Sequence, residues 1–169
     1  MAVAESFLNE LEHEAKTTRR VLERVPEDKL SWKPHAKSMS LGQLALHVAH
    51  SPGYTQWATT DVYEFTPDMA TIPEAKSCAE ILDAHDRSVA KAKETLRQLG
   101  DHGLSGNWKG VAGGNTLMEL PKVALMRTVV LNHTYHHRGQ LSVYLRLLDV
   151  PVPSIYGPSA DENRFGQPN

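Results

Sequence analysis

Apolar residues recur at three- and four-residue steps through the first 25 residues, and this spacing constrains the fold more than any other feature of the sequence. In an α-helix such positions share one face, and here charged residues lie between them. The pattern predicts a helix that runs from residue 3 to residue 25, ends near Pro26 and must bury one stripe of side chains against other elements. The stripe consists of Val3, Phe7, Leu8, Leu11, Ala15, Thr18, Leu22 and Val25.

Two further segments have helical start signals. Ser40 is a suitable N-cap for a second helix that runs from Leu41 towards Trp57 or beyond. Pro52 predicts a kink or an early end, because proline cannot donate a backbone hydrogen bond. Ser77, followed three residues later by a glutamate, predicts a capping box at the start of a third helix, which Gly100 stops.

A fourth helix is predicted from a second possible capping box, Thr116 with Glu119, to about Asp149. The five glycines between residues 101 and 115 favour turns or a short hairpin before it. The proline- and glycine-rich tail, from about residue 150, is expected to be irregular.

Four long helices without a convincing strand predict an all-α fold, a four-helix bundle, in a single domain over residues 1–169.

Composition narrows the possible partners. The 18 basic and 20 acidic residues give a net charge of −2, so we expect no nucleic-acid binding. The one cysteine cannot form an intrachain disulfide or a cysteine-based zinc finger. The acidic N-terminus is unlike a signal peptide, and no apolar run approaches the roughly 18 residues of a membrane helix. We therefore expect a cytoplasmic protein with no membrane contact.

Two histidines of the fourth helix are predicted to point into the core. At about 100° per residue, and with His133 at zero, His137 lies near 40° and Met126 near 20°. His136 lies near −60° and is aimed less well. Histidines four residues apart can converge on one metal ion, although the same spacing also occurs in ordinary core histidines.

His47 is the candidate third ligand, because it lies on the largely apolar stripe of the second helix. His50, one turn further on, could replace it or orient it through a hydrogen bond. Gln140, near −20° on the face of the histidine pair, could donate to a bound ligand or to a metal-bound water, although a helix-to-helix hydrogen bond is the favoured interpretation. Arg138 is predicted to form a surface or inter-helix salt bridge.

The chain resembles the DinB/YfiT-like superfamily over roughly residues 5 to 160. The resemblance rests on the helical start, the WKP turn at Trp32 to Pro34, the segments SLGQLALHVAH and NHTYHHRGQLSVYLRLL, and the YGPS tail. It implies a four-helix bundle that holds a metal through one histidine of the second helix and an HxxxH pair of the last, which match His47, His133 and His137. It also implies a homodimer.

Three neutral imidazoles leave coordination positions open, which is typical of a catalytic site. Zinc, nickel, iron or manganese could occupy such a site. Some members of the superfamily that the chain resembles are S-transferases that use small thiols such as bacillithiol or mycothiol, and others are described as hydrolases. We therefore expect a metal-dependent enzyme that activates a low-molecular-weight thiol towards a small-molecule substrate. The alternatives are a metal-dependent hydrolase and a non-catalytic, stress-related binding or dimerising module.

Overall fold

The computed structural model describes residues 2–162, apart from the side chain of Ala70, and these residues are mostly helical. Helix α1 spans Val3–Leu22 and α2 spans Leu41–His50. Ser40 caps α2 as predicted: its hydroxyl accepts from the Gln43 amide at 3.2 Å, and the Gln43 side chain accepts from the Ser40 amide at 2.9 Å. The sequence therefore fixes the start of α2 through its own side chains.

Helix α2 ends earlier than Trp57. The chain continues as a 3₁₀ helix, Ser51–Thr59, with Pro52 in its first turn. Pro52 has no backbone N–H to donate the hydrogen bond that would continue α2, which accounts for the change of helix type.

Helix α3 spans Cys78–Leu104 and is interrupted at Gly100, whose φ of +54° lies in the left-handed region. The predicted stop is thus a break, after which a short helical segment follows. Half of the predicted capping box is present: the Ser77 hydroxyl accepts from the Glu80 amide, but the Glu80 carboxylate accepts from Lys76 instead of Ser77.

A small sheet corrects the all-α prediction. Strand β1 (Val62–Glu64) pairs in parallel with β2 (Asn107–Ala112), and β2 pairs antiparallel with β3 (Asn115–Pro121). Gly113 and Gly114 form the two-residue hairpin turn, and both have positive φ, as such turns require. The glycine-rich segment was thus correctly predicted to hold a hairpin.

The capping box predicted at Thr116 and Glu119 is wrong, because both residues lie in β3. Thr116 pairs with Val111 of β2 and Glu119 with Lys109, and the helical backbone begins only after Pro121.

That backbone then continues through three segments. They are α4 (Lys122–Leu125), a π-helical stretch (Met126–Asn132) and α5 (His133–Leu147). The π-helical stretch directly precedes His133; such wider turns are rare in proteins and are frequent at functional sites. Residues 150–162 form no helix or strand, as predicted.

The helices pack around two clusters of buried apolar residues. Helix α1 packs along α3, and α2 packs on both α3 and α5. Leu46 and Val48, on either side of His47, belong to the first cluster. Val130 and Leu131, just before His133, belong to the second. The histidines therefore lie where the two clusters meet. Among residues 2–162, no helix is long and apolar enough to cross a membrane.

Candidate metal centre

The structure brings His47, His133 and His137 together. One ring nitrogen of each lies within 4.8 Å of the others, so the three could hold a metal ion. His47 is on α2. His133 is the first residue of α5, and His137 lies one turn later. Because α2 packs on α5, residues 86 positions apart in the chain meet here.

The rings of His47 and His133 meet through their Nε2 atoms, and the ring of His137 lies close to both. The Nε2 atoms of His47 and His133 are 2.8 Å apart. The ring centroid of His137 lies 4.5 Å from that of His47 and 4.5 Å from that of His133. A triangle of imidazole nitrogens with this spacing can close around one divalent cation at about 2.1 Å per bond.

All three histidines are held in the neutral form that a metal needs. Burial, followed by the nearby His137 and His133, lowers the pKa of His47 to about 4. Burial, followed by His137 and His136, lowers the pKa of His133 to about 4. Burial also lowers the pKa of His137. At neutral pH the imidazole lone pairs are therefore available.

Two polar side chains approach the Nδ1 atoms of His137 and His47. Nδ1 of His137 lies 2.7 Å from Oε1 of Gln140, to which it donates. The hydroxyl of Tyr54 lies 3.4 Å from Nδ1 of His47. Among residues 2–162, Gln140 bonds within its own helix, to His137, and not to another helix as the favoured interpretation had it. It orients a candidate ligand.

The competing histidines lie outside the triangle. His136 is exposed and its ring contacts that of His137. His50 is exposed as well and lines a neighbouring pocket beside His47. Burial, followed by Arg87, lowers the pKa of His50.

A pocket of about 540 Å³ opens beside His47. One wall is an aromatic cluster of four side chains that line the pocket: Tyr54, Trp57, Tyr63 and Phe65. Trp57 is at the centre of the cluster, with ring centroids 4.7 to 5.1 Å from the other three. The sheet supplies Tyr63 from β1 and places Phe65 directly after it.

This aromatic cluster was not predicted from the sequence. The alternation of aromatic and polar residues around Tyr63 and Phe65 is the signal that could have indicated it, since it is typical of a strand with one covered face.

Arg138 forms the inter-helix salt bridge that was predicted, and the pair is buried. Its guanidinium is 1% exposed and lies 2.7 Å from the carboxylate of Glu14 on α1. It also donates to Thr18 at 3.0 Å and to the hydroxyl of Tyr156 at 2.6 Å. Tyr156 in turn donates to Glu14 at 2.9 Å. This network ties α1, α5 and the C-terminal segment together behind the histidines.

Comparisons with known proteins agree with this fold. The sequence profile of the DinB family matches residues 1–168. A Bacillus subtilis (strain 168) protein, named uncharacterized protein YrdA, is 28% identical over 162 residues, which are 95% of this chain and 92% of that protein.

Two crystal structures of DinB-like proteins have a similar fold. The first, from Bacillus cereus, has a TM-score of 0.70 and 24% identity, and covers 90% of this chain and 97% of its own. The second, from Bacillus subtilis, has a TM-score of 0.65 and 20% identity, and covers 85% of this chain and 92% of its own. At these identities the likeness concerns the fold alone.

Proposed function

This chain belongs to the DinB family, and from that premise we propose that it is a metal-dependent enzyme that activates a small thiol for transfer to an electrophile. His47, His133 and His137 hold one divalent ion. The observation that carries the proposal is the convergence of three neutral imidazole nitrogens within 4.8 Å, beside an open pocket.

A divalent cation held by three neutral ligands keeps its full charge and, when bound, lowers the pKa of a coordinated thiol, so that sulfur reacts as the thiolate. The chain's own residues have simpler roles. The three histidines fix the position of the ion, Gln140 fixes the orientation of His137, and the aromatic cluster excludes water from the reacting atoms. Sulfur forms a bond to the electrophilic carbon, the leaving group departs with the electron pair of its bond, and the thiol proton goes to solvent.

The lining of the pocket is compatible with thiol transfer. No aspartate or glutamate lines the pocket in the part of the chain that the structure describes. A thiol that the bound ion has already deprotonated needs no general base. The pocket of a thiol transferase can therefore be free of carboxylates.

Metal content is the first test. Protein purified without a histidine tag or chelator is expected to contain about one divalent metal per chain. The variants His47→Ala, His133→Ala and His137→Ala should each lose the metal while keeping their helical circular dichroism. His136→Ala is the matched control, because it removes an exposed histidine next to the triad, and it should retain the metal. A wild-type protein without metal, even after reloading, would refute the proposal.

Turnover is the second test. Metal-loaded protein is incubated with small thiols and uncharged electrophiles, and free thiol is measured over time. We expect thiol consumption that depends on both the metal and His133. Ester hydrolysis in the absence of thiol would favour the hydrolase instead. A folded, metal-loaded protein that catalyses neither reaction would refute an enzymatic role.

A further inference from the structure

The pocket beside His47 has a wall without formal charge. Its lining contains no lysine, arginine, aspartate or glutamate from the described part of the chain. In the metal-free protein a charged ligand would lose its hydration in this pocket without gaining a partner of opposite charge, which is costly.

The aromatic cluster gives the pocket flat, firm surfaces. Trp57 stacks on Tyr54 at 4.7 Å between centroids, and Trp108 lies parallel behind it at 6.3 Å. Trp108 is 1% exposed and is fixed in β2. Aromatic faces and edges attract other flat apolar groups more strongly than their area alone would suggest.

Another part of the lining is apolar and adaptable. Met69, Ile72 and Pro73 come from the segment between β1 and α3. Methionine has an unbranched, polarisable side chain that adjusts to the outline of a ligand. The volume of about 540 Å³ lies within the range of roughly 300–1,000 Å³ typical of small-molecule sites.

We propose that this pocket binds an uncharged aromatic molecule and directs one end of it towards His47. The inference builds on the proposed function, in which this molecule is the electrophile that the thiol attacks. An aromatic wall can also bind an organic cation, but here such a cation would approach a divalent ion held by His47. An uncharged ring system is the occupant that fits both the aromatic wall and the neighbouring divalent ion.

Three probes with the same ring system separate these possibilities. 2-Naphthamide is neutral, 2-naphthoate is an anion, and trimethyl(2-naphthyl)ammonium is a cation. Binding to the full chain is measured by isothermal titration calorimetry, first without metal and then with zinc. In both states we expect 2-naphthamide to bind at least tenfold more tightly than the cation. Without metal it should also bind at least tenfold more tightly than the anion. Equal or tighter binding of either ion in that state, or no binding of 2-naphthamide, would overturn the inference.

The variant Thr71→Glu tests the same pocket without changing a buried residue. Thr71 is exposed and lines the pocket, so the variant should fold and place a carboxylate beside the ligand. The ratio of affinities should shift at least tenfold towards the cation in the metal-free protein. The matched control is Thr116→Glu, an exposed position in β3 that does not line the pocket, and it should leave the ratio unchanged. An unchanged ratio in Thr71→Glu would contradict the assignment of the pocket.

These measurements can fail independently of the proposed function. Probe binding needs no turnover, so a protein that binds 2-naphthamide but consumes no thiol would refute the transferase and leave the ligand class standing. A protein that consumes thiol with charged and neutral electrophiles equally well would refute the ligand class alone.

Discussion

The hydrogen bond between His137 and Gln140 fixes which nitrogen of His137 carries the proton. Oε1 of Gln140 can only accept, so Nδ1 must donate, which leaves the lone pair of His137 on Nε2. Partners of this kind typically contribute a factor of 10 to 100 to metal affinity. Gln140→Leu should therefore lower zinc affinity about tenfold without abolishing binding, as measured by competition with a chromophoric chelator.

Gln98→Leu is the matched control for this prediction. Gln98 is an exposed glutamine on α3 that donates to the carboxylate of Glu94, one turn away. Its replacement should leave zinc affinity unchanged. If the two variants bind zinc equally well, Gln140 has no part in holding His137.

The buried pair Arg138–Glu14 belongs to the same scale. Removing one partner of a buried pair leaves the other charge without compensation, at a cost of about 3–5 kcal/mol. Arg138→Met should therefore lower the free energy of unfolding by about this amount in urea titrations. Adding Glu14→Leu should restore part of the loss, because neither charge of this pair then remains buried.

An exposed pair provides the comparison for the buried one. Arg87 pairs with Asp83 on the surface of α3, and exposed pairs contribute only about 0–1 kcal/mol. A loss in Arg138→Met no larger than that in Arg87→Met would show that burial does not matter here.

At the scale of elements, the hairpin depends on the absence of a side chain at Gly110. A Cβ there would lie 2.6 Å from the Trp108 ring and 2.7 Å from the Phe65 ring. Gly110→Ala must therefore push apart β2 and the segment that follows β1, and it should destabilise the protein by about 1–3 kcal/mol. Gly106→Ala is the control, because the nearest atom would be 3.9 Å away. Equal thermal stability of the two variants would contradict this account of the hairpin.

The carboxylate of Glu162 holds the C-terminal segment against α1, and the strength of this contact depends on pH. Glu162 pairs with Arg20 on α1 and accepts from the Ser154 amide at 2.7 Å. Hydrogen bonds from Arg20 and then Ser154 lower the pKa of Glu162 to about 2. Because the folded pKa is depressed, the stabilisation is complete above the ordinary value of 4.5 and is lost as the pH falls towards 2.

Glu162→Gln should accordingly be less stable than wild type at pH 7, and the difference should shrink between pH 4.5 and 2. Chemical unfolding at pH 7, 5 and 3 measures this difference. A gap of constant size at all three values would mean that the charge of Glu162 contributes nothing.

At the scale of the whole molecule, local sequence signals were enough to predict the helices but too weak to predict the sheet. Ser40 and Gly100 act on their own neighbours, so their effects could be predicted. Strand β1 has three residues, and its partner β2 follows more than 40 positions later in the chain. A pairing of this kind depends on tertiary contacts and leaves little trace in local sequence.

At the candidate site, too, some features could be predicted from local sequence and others depend on tertiary packing. The four-residue step already placed His133 and His137 on one face. That His47 meets them depends on the packing of α2 against α5, which the family resemblance suggested and the helical period did not. The aromatic cluster was missed because its members come from a 3₁₀ helix and from a sheet that was not predicted.

A bound ion would connect the two helices that define the site, because His47 lies on α2 and the other two histidines lie on α5. A ligand that binds only the folded chain raises its free energy of unfolding, by about 2.7 kcal/mol when its free concentration is one hundred times the dissociation constant. Zinc at this excess should raise the stability of the wild type by about that amount in chemical unfolding. His47→Ala should lose most of the effect, and His102→Ala, which removes an exposed histidine outside the triad, should keep it. An equal rise in both variants would mean that zinc stabilises the chain at another place, and the proposal that these three histidines are the ligands would then fail.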